Sequence, residues 1–126
     1  MSGNKTEPLN LDQAFARISE LWTPYAAFEL NGQHVRLARL KGEFVWHKHE
    51  HEDELFYVYR GELTILFEGK TVTLCQGEML CIPRNTMHKP VAADEAWVVL
   101  FEPVTTINTG NADSDKKIDR IDKLNF

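Results

Sequence analysis

Apolar side chains recur along this chain in two rhythms, one of three to four residues near its beginning and one of two through most of the remaining length. In LNLDQAFARISELW, Leu11, Phe15, Ile18 and Leu21 or Trp22 are spaced by three or four, and Asn10 or Asp12 stands ready to cap. That spacing predicts one short amphipathic helix. Pro24 is expected to end it, because proline lacks the next backbone donor and pushes its predecessor out of helical geometry. From Tyr25 to Pro103 the period is two. YAAFEL and QHVRLARL flank Asn31-Gly32, two residues that tolerate the positive φ of a tight hairpin turn. LTILF and TVTLC flank Glu68-Gly69-Lys70, and EFVWHKH, ELFYVYR, EMLCIP and AWVVLFEP complete the set. About eight short strands, with turns roughly every eight to twelve residues, predict an all-β jelly-roll-like barrel preceded by a short N-terminal helix.

The remainder, TTINTGNADSDKKIDRIDKLNF, is polar and balanced in charge, with Ile118, Ile121 and Leu124 spaced by threes. It reads as a solvated tail, or as a short helix or strand whose apolar stripe covers a barrel edge or a second subunit. The expected organisation is a helical segment over 1–24, a barrel over 25–103 and a polar tail over 104–126.

Composition narrows the function classes. With 126 residues, 43% apolar or aromatic and 26% charged, the chain has the content of one globular core. A net charge of −5 and a pI near 5.5, with no basic stripe, argue against a nucleic-acid partner. No stretch has the apolar length of a signal peptide or a membrane span, so the expectation is a cytoplasmic protein without a membrane partner. Cys75 and Cys81 lack CxxC spacing and sit among apolar neighbours, where they are expected to be buried free thiols.

The chemistry concentrates in HKHEHEDE, residues 47 to 54. On an extended backbone side chains two apart share a face, so His47 and His49 can aim at one point, and so can His49 and His51. Glu54 opens the next strand, on the face that Phe56 and Val58 occupy. His47, His49 and Glu54 form a plausible ligand set that parity alone does not force. Phe56, Val58, Met79 and Cys81 are candidates to line a pocket, while Trp46, Lys48, Tyr57 and Tyr59 have the opposite parity and are expected to face away.

These residues carry a resemblance. The run from Gly42 through HKHEHEDELFYVYRG resembles the first motif of the cupin superfamily, with His47, His49, Glu54 and Gly61 in the matching places. GEMLCIPRNTMH resembles the second, through Gly77, Pro83 and His88, and the motifs lie 15 residues apart, as in compact single-domain cupins. Three positions depart from the pattern: Gly42 stands one residue closer to His47, Asn85 replaces a glycine after Pro83, and Ala92 stands where asparagine is usual. None is a ligand position, and Asn85 can still adopt left-handed geometry.

The resemblance implies a double-stranded β-helix whose mouth holds one divalent metal on His47, His49, Glu54 and His88. Three imidazoles and one carboxylate suit Fe, Mn, Ni, Zn or Cu, and give no basis for Ca or Mg. Cupins with this ligand set include dioxygenases, sugar isomerases, lyases and cyclases, so the resemblance does not choose the reaction; the expectation is dioxygenase-like chemistry on a small oxygenated substrate, with Glu54 or His51 moving a proton. A sugar isomerase or lyase is the alternative, and a cupin that binds a small ligand without turnover is a third. Outward aromatics and the family's habit make a homodimer the expected assembly.

Overall fold

Strict alternation of inward and outward side chains organises the chain in a computed structural model that describes residues 3–126. The elements are α1 (Leu11–Ala16), β1 (Tyr25–Leu30), β2 (Gln33–Glu43), β3 (Glu54–Arg60), β4 (Glu62–Phe67), β5 (Lys70–Cys75), β6 (Met79–Ile82) and β7 (His88–Pro103). The pairings between these strands are antiparallel. β7 is the spine: one edge pairs with β2, while the other pairs first with β4 and then with β3. β1 extends the sheet beyond β2, β6 beyond β3, and β5 beyond β4.

In β7 every even position is buried except Asp94, from His88 through Ala92 and from Ala96 to Glu102. Val98 and Leu100 meet Ala38, Leu40, Phe56, Val58, Leu63, Ile65 and Ile82 in the barrel interior. The corner lies at Ala93–Glu95, where the register with β2 shifts between Leu40 and Gly42. Arg39 clamps Glu95 there with two bonds of 2.9 Å, and the Trp97 indole donates to the same carboxylate at 2.7 Å. Gly61 turns β3 into β4 against this corner. Its φ is +89°, and a Cβ there would stand 2.7 Å from the Glu95 carbonyl oxygen.

The helix is shorter than its apolar spacing predicts. Asn10 caps it by accepting from the Gln13 amide, but it ends at Arg17, whose N–H turns to Ala14 O. Ile18 remains buried, and then the chain leaves helical geometry to run beside β2: Leu21 bridges Arg39, Trp22 donates to Arg39 O, and Arg39 Nη1 donates to Ile18 O at 2.5 Å. Hydrogen bonds to a neighbouring strand outcompete further helical turns, which α1 has little propensity to hold alone. α1 covers the outer face of the sheet, where Phe15 stacks on Tyr59 and Trp97 within the same chain.

Other expectations are corrected by parity and length. Among the described residues seven strands form where about eight were expected, because EFVWHKH is no strand beyond Glu43, and AWVVLFEP is the second half of β7. Cys75 and Cys81 are exposed free thiols. Leu74 fills the core from β5, which turns Cys75 out, and the pairing of Glu54 with Ile82 sends Ile82 inward and Met79 and Cys81 outward. Met79 and Cys81 therefore line no interior pocket, whereas Phe56 and Val58 are buried as expected. Asn31 and Asn85 take the left-handed φ expected of them, at 51° and 60°.

The segment after β7 returns across the barrel. Thr106 and Thr109 are buried, Leu124 packs beside Phe15 and Leu37, and Phe126 meets Phe28 edge-on. Among the described residues no helix is long and apolar enough to cross a membrane.

Gly61→Ala should cost more than Gly69→Ala in urea unfolding. Both glycines have positive φ, worth about 1–2 kcal/mol to a side chain, but nothing lies within 4 Å of a Cβ at Gly69. The clash with Glu95 should add roughly 1–3 kcal/mol at Gly61; equal losses would refute the corner contact.

Candidate metal centre

Because the even positions of β7 are buried on both sides of its corner at Asp94, His88 at its start and Glu102 at its end both enter the barrel. Sixteen extended residues span about 50 Å, yet Glu54 touches both ends. Its Oε1 lies 3.5 Å from His88 Nε2, and its carboxyl lies against that of Glu102. Glu54 itself is the first residue of β3, turned inward by the parity of Phe56 and Val58. His47 reaches the same point from an irregular segment. Its backbone exchanges two hydrogen bonds with His88, at 3.0 and 2.9 Å, and the two rings stand 4.3 Å apart. His49 lies two residues later, its Nε2 3.4 Å from Glu54 Oε1, with its carbonyl accepting from the Asn85 amide. The strand that the sequence suggests for FVWHKH is thus replaced by a single bridge at His47, but the shared face survives.

His47, His49, Glu54 and His88 are all buried, and one potential ligand atom from each lies within 4.8 Å of the others. The Nδ1–H of His47 donates to Val45 O at 2.9 Å and that of His88 to Thr86 O at 2.8 Å. These bonds fix the tautomer and leave each Nε2 lone pair for the centre. His49 Nε2, His88 Nε2 and Glu54 Oε1 are buried without a hydrogen bond. Buried polar atoms ordinarily find partners, and a cation would supply one to all three. Donors about 2.1 Å from a shared ion stand about 3.0–3.4 Å apart, close to the spacing around Glu54 Oε1. The donor set and the orphaned atoms fit a divalent transition metal.

A match to the family model described as Cupin domain covers residues 33–103. The chain is a cupin. It is 41% identical over 73 residues to the uncharacterized protein YdbB of Bacillus subtilis, an alignment covering 57% of this chain and 65% of that one. It is 39% identical over 49 residues to quercetin 2,3-dioxygenase of the same organism, covering 38% of this chain and 14% of the enzyme. The chain therefore spans less than two thirds of either curated relative. Among solved structures, a cupin-2 domain containing protein from Shewanella frigidimarina superposes with a TM-score of 0.74 at 38% identity, covering 75% of this chain and 93% of that one.

In this cupin the electrostatics of the centre divide by neighbour. Burial, and then the charge of His88, lowers the His47 pKa from 6.5 to about 4. Burial acts in the same direction on His49, but the close, negatively charged Glu54 carboxylate outweighs it and raises that imidazole. Burial would raise Glu54; the imidazoles of His49 and His88 beside it and the Glu102 carboxyl against it hold it well below the ordinary carboxylate value. Glu102 goes the other way, raised well above it by burial and by the charge of Glu54. Its Oε1 accepts from Arg36 Nη1 at 3.0 Å.

Arg36 and Glu102 are the buried charges that motif reading misses, at 0% and 2% exposure. Parity could have found them. Arg36 shares its face with Ala38 and Leu40, and Glu102 shares its own with Val98 and Leu100. Arg36 is committed elsewhere in the chain: besides Glu102 it donates to Thr106 O, Val104 O and His34 Nδ1. Among the described residues no basic side chain lines the cavity of about 40 Å³ beside the centre, whose walls include Trp22, Phe44, Phe56, Leu100, His47 and Glu54. His51 is not brought to this cavity. It is exposed and lines a separate groove that His49, Lys48, Ile107 and Asn111 also line.

His47 contributes a pH dependence to the metal-free protein. Its folded pKa lies below the unfolded one, so the stability gained by burying it neutral is fully present above pH 6.5 and is lost as pH falls toward 4. His47 alone should account for a loss of about 3 kcal/mol; the lowered Glu54 adds to it, and the raised His49 and Glu102 act in the opposite sense. Tm measured from pH 7 to 4 should fall, and His47→Gln should flatten that fall. An unchanged slope in the variant would show that His47 is not the group buried neutral.

Proposed function

We propose that this cupin holds one divalent transition metal on His47, His49, Glu54 and His88 and acts on a small oxygenated molecule, with dioxygenase-like chemistry the favoured reaction. The observation that carries the reading is the convergence of four buried donor residues, with His49 Nδ1, His49 Nε2, His88 Nε2 and Glu54 Oε1 all lacking hydrogen bonds, beside a small apolar cavity. Bound there, Fe, Mn, Ni, Zn or Cu would supply Lewis acidity, and the redox-active members electron transfer with dioxygen.

The chain's own residues set the rest. Trp22, Phe44, Phe56 and Leu100 keep the cavity apolar and limit the entry of water. Glu54 presents an ionised carboxylate oxygen to both the imidazoles and the cavity, and it is the group placed to take a proton from a substrate hydroxyl. The proton stays on Glu54, and Glu102, raised in pKa and so kept protonated beside it, donates to the ionised Glu54 carboxylate before the transfer. The mainly apolar wall favours an uncharged substrate over a sugar phosphate. Likeness over 49 residues to a protein named as a quercetin dioxygenase supports oxygen chemistry. An isomerase or lyase that uses the same carboxylate to move a proton between carbons is the second reading.

Protein prepared without a nickel column, from cells supplemented with Fe(II) or Mn(II), should carry the ion by elemental analysis. His88→Ala should reduce occupancy by tenfold or more, on the order of what a lost ligand or its support costs. Unchanged occupancy would remove His88 from the site. Oxygen uptake across diols, keto-enols and phenols tests the reaction, and Glu54→Gln should slow turnover by about 10²–10⁴-fold, the usual contribution of a positioned base. Metal-loaded protein that binds members of the panel without consuming oxygen or forming product would refute the oxygenase reading and leave ligand capture.

A further inference from the structure

Lys48 separates the two neighbouring imidazoles, and residues outside the family-matched segment hold its backbone. Asn111 pairs with it twice. The Asn111 N–H donates to Lys48 O at 3.0 Å, and the Asn111 side-chain Oδ1 accepts from the Lys48 N–H at 2.8 Å. Gly110 approaches from the same side so closely that a Cβ would stand 2.2 Å from Lys48 O and 3.2 Å from His47 Cδ2, and its φ is +54°. Further along the loop, Thr105 Oγ1 donates to Glu52 Oε2 at 2.9 Å.

The returning segment is not loosely draped. Arg36, wholly buried, donates to Thr106 O at 2.9 Å and to Val104 O at 3.2 Å, and Thr106 and Thr109 are themselves buried. It is anchored in the barrel at one end and meets the ligand loop at the other. On its opposite edge that loop is fixed by His88 and Asn85. On this edge no strand among the described residues supplies a ladder, and Asn111 replaces one, its Oδ1 standing where a neighbouring strand would place a carbonyl.

We propose that Asn111 is a positioning residue for the metal centre: by engaging both backbone groups of Lys48, it sets the relative aim of the His47 and His49 rings. The inference rests on the proposed metal site. It assigns part of that site's affinity to residues 104–111, beyond the matched barrel. Groups that orient ligands without touching the ion typically account for 10–100-fold in affinity.

Co(II) is a suitable probe, because its absorption spectrum reports ligand geometry. Asn111→Ala removes the Oδ1 acceptor and should weaken Co(II) binding about tenfold, speed its release to a chelator and alter the spectrum. Asn111→Asp retains an acceptor and should restore binding to near the parent value. Gly110→Ala pushes the whole segment off Lys48 and should weaken binding more than Asn111→Ala does. Leu124→Ala, which thins the packing beside Phe15 far from the loop, should lower Tm while leaving Co(II) affinity unchanged, which separates positioning from stability. In metal-free protein, ring-nitrogen NMR should show the His47 and His49 signals shifted or broadened in Asn111→Ala, with His88 less affected.

Folded Asn111→Ala and Gly110→Ala proteins that keep the parent affinity, spectrum and ring signals would overturn the inference while leaving the metal reading intact. Loss of affinity in Asn111→Asp equal to that in Asn111→Ala would also overturn it, since the acceptor would then be irrelevant. A parent protein that binds no Co(II), Mn(II) or Fe(II) would overturn the metal reading and this inference together.

Discussion

The centre of this molecule depends on one carboxylate oxygen, Glu54 Oε1, lying within 3.5 Å of imidazoles that arrive from different parts of the chain. That proximity is possible because β7 curls without losing its inward parity. A strand that slipped by one residue at its corner would keep either His88 or Glu102 inside, but not both. The Arg39–Glu95 clamp and the bare Cα of Gly61 hold the corner, so residues with no polar contact to the centre decide whether it assembles.

A buried ionic row extends from the centre to the returning segment: His49 and His88 against Glu54, Glu54 against Glu102, Glu102 against Arg36, and Arg36 against the carbonyls of Val104 and Thr106. Such a row costs desolvation and is a poor source of stability unless every member is matched. Its value here is positional. It couples the barrel interior to the chain that continues past β7, and that chain contacts the loop bearing His47 and His49 from the outside.

Membership in the cupins places the barrel and leaves the reaction open, as expected of a fold that hosts many activities. The environment around the four donors bears on the proposed chemistry. The buried Arg36 guanidinium is consumed by protein acceptors, the cavity wall is mainly apolar, and a carboxyl of raised pKa backs the Glu54 carboxylate. These features favour proton movement on an uncharged substrate over recognition of an anion.

Short-range information suffices for much of this. Period-two burial along β3 and β7, the turn at Asn31-Gly32, the left-handed Asn85 and the two histidine-bearing motifs are all legible because each depends on a residue and its near neighbours. The helix falls short of its apolar spacing because hydrogen bonds to β2, which no local spacing encodes, claim the chain after Ile18. The buried faces of β5 and β6 escape a reading of apolar runs because the register with β3 and β4 selects which side faces in. Sequence by itself determined which donors are present and which of them share a face. Only the tertiary structure decided that Glu102 and Arg36 stand behind Glu54, that His51 lies outside the cavity beside the centre, and that Asn111 reaches Lys48, because each of these placements joins positions dozens of residues apart or turns on how a loop is held.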